Sequence, residues 1–501
     1  MTRGEIDDTT ADPFCGFNLG STVYRATPDK ARPPRKFIFE SPVVRLASDF
    51  GYCDVFENGK DIVDPDWDGI LPVRSIIIYH YYDIASTLLG VGETPAIGEF
   101  AKGLSDLILR VRAVVCGNPQ NKMAQADFRC YLVAHSMGGL VCRAFLQNPQ
   151  LGDAAARRCV DKVFTYATPH NGIDMGGVNV PAWLGANDIN NFSRERMAQY
   201  LNLEDLFAST QRVDWLPASV FPADRFFCMV GTNRADYQAA LGISRAFAGH
   251  GSDGLVRIDN ASVWGTDDDG TVTNSCPTAY TYRAHSGHFG IVNSEEAYQN
   301  LTRFLFGDVR VDISAEITDI RLPKELQKED PADVDGLYQF EVLAAPRGMR
   351  WYLTRRTAEE DSVACRSHRE ILAGKKEVYL STVFLANRAR VNTRRRSLAY
   401  SLTFGIRIPD YEVNRRMWFD RHFEGGYLFR DSLIVEITSP KEEGGEWKVA
   451  GGWQSRRPAA ATKALSGRQI AEGKVELAVP FDGGKVPGMA GELRFVVAGW
   501  R

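Results

Sequence analysis

The chain has 501 residues, 44% of them hydrophobic and 24% charged, with 59 basic against 63 acidic side chains and a net charge of −4. That length predicts two or three domains, and so balanced a charge excludes the basic footprint of a nucleic-acid-binding protein. The cysteines number nine, an odd count without close metal-knuckle pairs, which predicts reduced thiols rather than a disulfide framework.

The first residues, MTRGEIDDTTADPF, are polar and acidic and lack the apolar centre of a secretory signal. No run reaches the roughly 18 apolar residues of a membrane-spanning helix. These features predict a cytoplasmic protein, with signal-independent export left open, and they call for no cofactor or metal. Residues 1–36 offer no convincing strand. The run SIIIYHYY (Ser75–Tyr82) is β-branched and aromatic and predicts one. Ile97, Phe100, Leu104, Leu107, Ile108, Val111 and Val115 then recur at steps of three and four, the stripe of an amphipathic helix.

CYLVA (130–134), KVFTYA (162–167) and RFFCMVG (225–231) predict further strands, with the helix GGLVCRAFL following the first. Strands that are apolar throughout and alternate with helices imply a parallel sheet covered on both faces, an α/β architecture. The stretch from about 174 to 222 is too long for a plain connection and predicts a cap-like insertion. Beyond residue 306 the text changes to runs such as VRVDISAEI, SLAYSLTFGIRI and ELRFVVAGW, which predict a C-terminal β-sandwich over 307–501. The α/β domain would then span 1–306.

At AHSMGG, Ser136 stands where a strand ends and a helix begins. So sharp a turn holds the serine in strained backbone, needs small residues two before and two after it, and lifts the hydroxyl above the sheet. Gly138 meets that demand fully and Ala134 nearly. The backbone N–H of Met137, at the helix N-terminus, is placed to hold a developing oxyanion. A serine hydroxyl also needs a base, oriented by an acid. Asp253 in GSDGLV follows the fourth strand and is favoured over Asp269 in DDDGTV. His288 in HFGIVN leads into the next helix and is favoured over His285. His135 is expected to point away across the turn, and the remaining histidines to be structural.

LVAHSMGGLVCRAFL, VFTYATPHNG, SDGLV and HFGIVNS, in that order, resemble the lipase-like α/β-hydrolases. The nearest branch is that of GPI inositol-deacylase-like and lecithin-cholesterol acyltransferase-like serine esterases. The resemblance covers roughly residues 15–305. It implies ester hydrolysis through an acyl-enzyme, with Ser136 as nucleophile, His288 as base and Asp253 as its orienting acid. It also implies a second oxyanion donor from an early loop, for which Gly16 and Phe17 in CGFNLGST stand, although the usual histidine is replaced by Cys15. The substrate would be a small-molecule or lipid ester. Acyl transfer to an alcohol by the same triad, and a degenerate hydrolase fold that only binds, are the alternatives. Arg388, Arg390 and Arg394–396 form either a solvated hairpin tip or a seat for phosphate headgroups or an acidic partner.

Overall fold

The computed structural model describes residues 22–25, 35–38, 42–55, 60, 62–79, 97–175, 178–179, 191–235, 251–267, 269–285, 290–292, 294–390, 397–413, 421–438, 448–456 and 463–500. The chain forms two compact units, one of residues 1–276 and 283–298, the other of 277–282 and 299–501. The boundary expected at 306 falls instead inside a helix, because the second half of that helix contributes Phe304, whose ring packs on Phe384 and Trp500.

Among the described residues the first unit begins with a hairpin, where no convincing strand was expected. Strand β1 (Thr22–Arg25) pairs antiparallel with β2 (Arg35–Ile38). Two short runs divided by a Pro- and Arg-rich link carry too little periodic signal to be read. Helix α1 (Pro42–Phe50) follows, and β3 (Cys53–Asp54) pairs in parallel with β4 (Ser75–Ile76). The strand expected over 75–82 is thus seen only at its start, and 80–82 lie outside the described residues.

Helix α2 (Ile97–Gly117) buries Ile97, Phe100, Leu104, Ile108, Val111 and Val115, the predicted stripe except Leu107, which is half-buried. Next come β5 (Cys130–His135), helix α3 (Met137–Gln147), the short α4 (Ala154–Cys159) and β6 (Val160–Tyr166). Strands β5 and β6 are parallel, with Ala134 beside Thr165 and His135 beside Tyr166. Helix α3 is buried from Gly138 to Gln147, so it runs through the core rather than over it.

Beyond β6 lie β7 (Asp174–Met175), β8 (Val178–Asn179), helices α5 (Arg194–Leu201) and α6 (Glu204–Thr210), and β9 (Trp215–Pro217). Strand β10 (Phe226–Gly231) then pairs in parallel with β6 and is buried at every residue. The part of the expected cap that is described is built into the body of the unit: Met197, Leu201, Val213, Leu216 and Phe221 share one core with Leu140, Phe145 and Val163.

The second unit is antiparallel. One sheet has the order Glu377–Leu385, Val309–Arg321, Gly488–Gly499, Lys474–Asp482, Gly467–Ala471. The other is ordered around Val334–Pro346, Leu398–Val413, Arg421–Thr438 and Lys448–Trp453. Alternate residues point inward, as Val309, Val311, Ile313, Ala315 and Ile317 do on one strand, and the inward sets of both sheets form one hydrophobic core. Arg390 donates to the Asn387 carbonyl, and Arg394–396 lie outside the described residues. Among the described residues no helix is long and apolar enough to cross a membrane, and eight cysteines are free thiols.

Candidate active site

Strand β5 ends at His135, and α3 begins at Met137. The single residue between them, Ser136, has φ 54° and ψ −126°. A left-handed φ is costly for any residue with a Cβ and persists only where the surroundings enforce it. Here they do: Ser136 N–H donates to Tyr166 O, and Ser136 O accepts from Gly139 N–H. The hydroxyl stands at the end of the sheet, half-buried, beside the N-terminus of α3.

Asp253 sits in a turn after β10, bracketed by a bridge between Ser252 and Arg257. Its Oδ1 accepts from the N–H groups of Leu255 (3.0 Å) and Val256 (2.8 Å), which fixes the carboxylate plane. Its Oδ2 accepts from Nδ1 of His285 at 2.9 Å. Since a carboxylate can only accept, Nδ1 carries the proton, and the neutral ring leaves Nε2 as an acceptor. Ser136 Oγ lies 2.9 Å from that Nε2 and donates to it. Asp253 and His285 are both buried, so water competes little for these bonds.

His285, not His288, therefore meets Ser136, and the assignment of the base made from sequence is corrected. The reason lies in the backbone. His285 N–H donates to Asp253 O, and Ala284 bridges to Gly290. These contacts carry residue 285 to the acid and the serine. His288 lies outside the described residues, as do Gly16 and Phe17. The rival acid, Asp269, is in an exposed turn where its carboxylate caps Thr271 N–H. Met137 is the first residue of α3, and its N–H belongs to the turn that has no intrahelical acceptor.

His135 departs from expectation as well. Its Nε2 donates to His285 O at 2.8 Å, and the two rings lie 4.9 Å apart. All four polar atoms of His285 are thus held: the amide and Nδ1 by Asp253, the carbonyl by His135, and Nε2 by Ser136.

No family model matches the chain, and neither does any curated protein. Among solved structures, the Bacillus licheniformis lipase BlEst2 in its mature form is similar over 42% of this chain and 73% of its own, at 15% identity and TM-score 0.25. The propeptide form of that lipase is similar over 70% of this chain and 86% of its own, at 11% identity and TM-score 0.25. Likenesses this weak leave the function to the site itself.

Two buried residues behind the elbow were not singled out as supports from the sequence. Arg143 of α3, fully buried, donates to Gln147 Oε1 and to the carbonyls of His170, Val213 and Trp215. Its only sequence signal is a lone cation in the apolar helix MGGLVCRAFLQ. Desolvation pulls its pKa down to about 10, with Asp214 opposing the fall, so it stays charged at neutral pH. Thr168 sits just beyond β6 and donates from Oγ1 to Ser136 O at 2.9 Å.

His170 braces the same loop. Thr165 Oγ1 donates to Phe227 O, so it accepts from His170 Nε2–H at 3.1 Å. Burial, and then the Arg143 charge, hold the His170 pKa well below its ordinary value. His368 in the second unit is also lowered by burial and bonds Tyr338 at 2.9 Å. His80, His250 and the side chain of His422 lie outside the described residues.

A histidine kept neutral when folded takes up protons only after unfolding. Below the ordinary histidine pKa of about 6.5 the unfolded chain therefore binds more protons, and stability falls as pH drops. Each such group contributes a slope of at most about 1.4 kcal/mol per pH unit. Thermal melting of the wild type should shift downward between pH 7 and pH 5, and His170→Gln should flatten that dependence. Parallel curves for the two proteins would remove His170 from the account.

Proposed function

We propose that the protein is a serine carboxylic ester hydrolase of the lipase-like α/β-hydrolase kind. One observation carries the reading: the unbroken hydrogen-bond chain Ser136–His285–Asp253, starting from a serine in left-handed backbone at a strand-to-helix turn.

The chemistry follows from that chain. As Ser136 Oγ attacks an ester carbonyl carbon, its proton passes to His285 Nε2, and the carbonyl π pair moves onto oxygen. Met137 N–H at the head of α3 faces the new negative charge. The tetrahedral adduct collapses, the C–O bond to the alcohol breaks, and the alkoxide takes the proton from His285. Water then gives its proton to His285 and attacks the acyl-enzyme, and the proton returns to Ser136 Oγ as the acid leaves. In each half the imidazolium forms against Asp253, whose Oδ1 is already held by two N–H groups, so little reorganises when charge appears. Buried Cys142 and Cys228 are no rival nucleophiles: burial pushes each thiol up to about 12, so neither is a thiolate at neutral pH.

A hydroxyl held far from any base would favour the binding-protein alternative, and the 2.9 Å bond between Ser136 Oγ and His285 Nε2 supports chemistry instead. The reading extends to a lipid or other ester substrate and to kinship with the GPI inositol-deacylase-like and lecithin-cholesterol acyltransferase-like esterases, on the four motifs quoted above. The β-rich unit would serve docking or substrate presentation. A fluorophosphonate probe tests the core of the proposal. Ser136 should be labelled in the wild type, and Ser136→Ala should lose both label and turnover of p-nitrophenyl butyrate. Equal turnover by the two proteins would refute it.

A further inference from the structure

The nucleophile turn leaves several features unexplained. The sequence SMGG has a second glycine, Gly139, that the turn itself does not require. A Cβ there would lie 2.2 Å from Thr168 Oγ1 and 2.7 Å from its methyl group. Gly139 is thus the space into which Thr168 fits. Ala167, just before Thr168, has φ 47°, although it is neither a glycine nor a nucleophile. Its N–H donates to Met229 O, so it is held in that strained state by the neighbouring strand. The kink turns the chain out of β6 and sends the Thr168 side chain toward β5. Thr168 is buried, and its hydroxyl donates to Ser136 O at 2.9 Å.

Ser136 O belongs to the same peptide unit as Met137 N–H. That unit is planar and trans, so its oxygen and its N–H point in opposite directions and turn together. Whatever pins the oxygen aims the N–H. Gly139 N–H bonds the oxygen from within the helix at 3.1 Å, and Thr168 bonds it from the adjacent strand end. The geometry points to Thr168 as a positioning residue that fixes the Ser136–Met137 peptide, and through it the direction of the oxyanion donor. The inference rests on the reading of Ser136 as an acyl-accepting nucleophile. It goes further by assigning a role to the strained Ala167, the buried Thr168 hydroxyl and the second glycine.

The hydroxyl touches the oxyanion side of the site and not the base. Removing a whole oxyanion donor costs about 10²–10³ in kcat, so misaiming one should cost about 30-fold. With p-nitrophenyl butyrate as probe, Thr168→Val keeps the shape and loses the donor. It should lower kcat by about 30-fold, leave KM within about twofold, and leave the acid limb of the pH profile in place, because His285 and Asp253 keep their bonds. Thr168→Ser keeps the hydroxyl and should stay within about threefold of wild type. If Thr168→Val does not fold, Thr168→Ala against Thr168→Ser makes the same comparison, since these two differ by one oxygen. A valine or alanine variant as active as wild type or the serine variant overturns the inference, as does a shift of the acid limb. Turnover that survives Ser136→Ala overturns it together with the reading it rests on. Turnover that needs Ser136 but ignores Thr168 overturns the inference alone.

Discussion

His285→Ala is expected to lower kcat/KM for a short-chain ester by about 10⁴-fold, and Ser136→Ala by a similar factor, since members of a triad act as one unit. The double variant should then be little worse than either single one. Asp253→Asn should also fall by about 10³–10⁴-fold, because an amide in place of Oδ2 can present N–H to Nδ1 and favour the wrong tautomer. His288→Ala should stay within a few-fold of wild type. The expectation follows from the bonds of His285: the ring reaches acid and serine at once, and its backbone is tied down on both sides. Steady-state kinetics on the five variants and the wild type would decide it. Loss of activity in His288→Ala, with His285→Ala unaffected, would reverse the assignment.

The largest effect on stability is expected at Arg143. Its guanidinium joins helix α3 to the loop at His170 and to the backbone at Val213 and Trp215. These carbonyls are buried or nearly so, and a buried acceptor left without its donor costs about 1–3 kcal/mol. Arg143→Met takes the donor from the His170 and Val213 carbonyls and one bond each from Gln147 and from Trp215 O, which keeps Gln147 Nε2, so a loss of about 4 kcal/mol is expected. Domains have only about 5–15 kcal/mol in hand. At about 2–4 °C per kcal/mol for a domain of this size, the melting midpoint should drop by about 8–16 °C. Arg143→Lys should recover only part of this, because one ammonium group cannot reproduce a planar fork aimed at separate carbonyls. An Arg143→Met midpoint within about 2 °C of wild type would show that the brace is dispensable.

The parts of the site that were legible in the sequence are those written in local code. The change from an apolar strand to a buried helix across AHSMGG located the elbow at Ser136, because period and residue size are local properties. The predicted helix stripe from Ile97 to Val115 and the apolar strands CYLVA, KVFTYA and RFFCMVG reappear as α2, β5, β6 and β10 within a few residues. The change to period-two text marked the β-rich unit. Its exact limit was not legible, since a helix such as Glu295–Phe306 carries no mark of which core each turn joins.

Other features were decided only in three dimensions. His285 and His288 are three positions apart in the sequence, and no local pattern says which reaches Ser136. The choice is made by hydrogen bonds from residue 285 to Asp253, about thirty positions earlier, and to His135, about one hundred and fifty. His135, expected to point away across the turn, instead bonds the His285 carbonyl, because a side chain's partner across a turn is not encoded beside it. Arg143 and Thr168 carry no local sign of their role; it appears only where the fold sets carbonyls in front of them. Local residue order places Ser136 at a sharp strand-to-helix turn and sets the periodicities that flank it. Only the tertiary fold sets which histidine meets Ser136, which carbonyls Arg143 holds and what pins the Ser136 carbonyl, because each depends on distance through space between groups far apart along the chain.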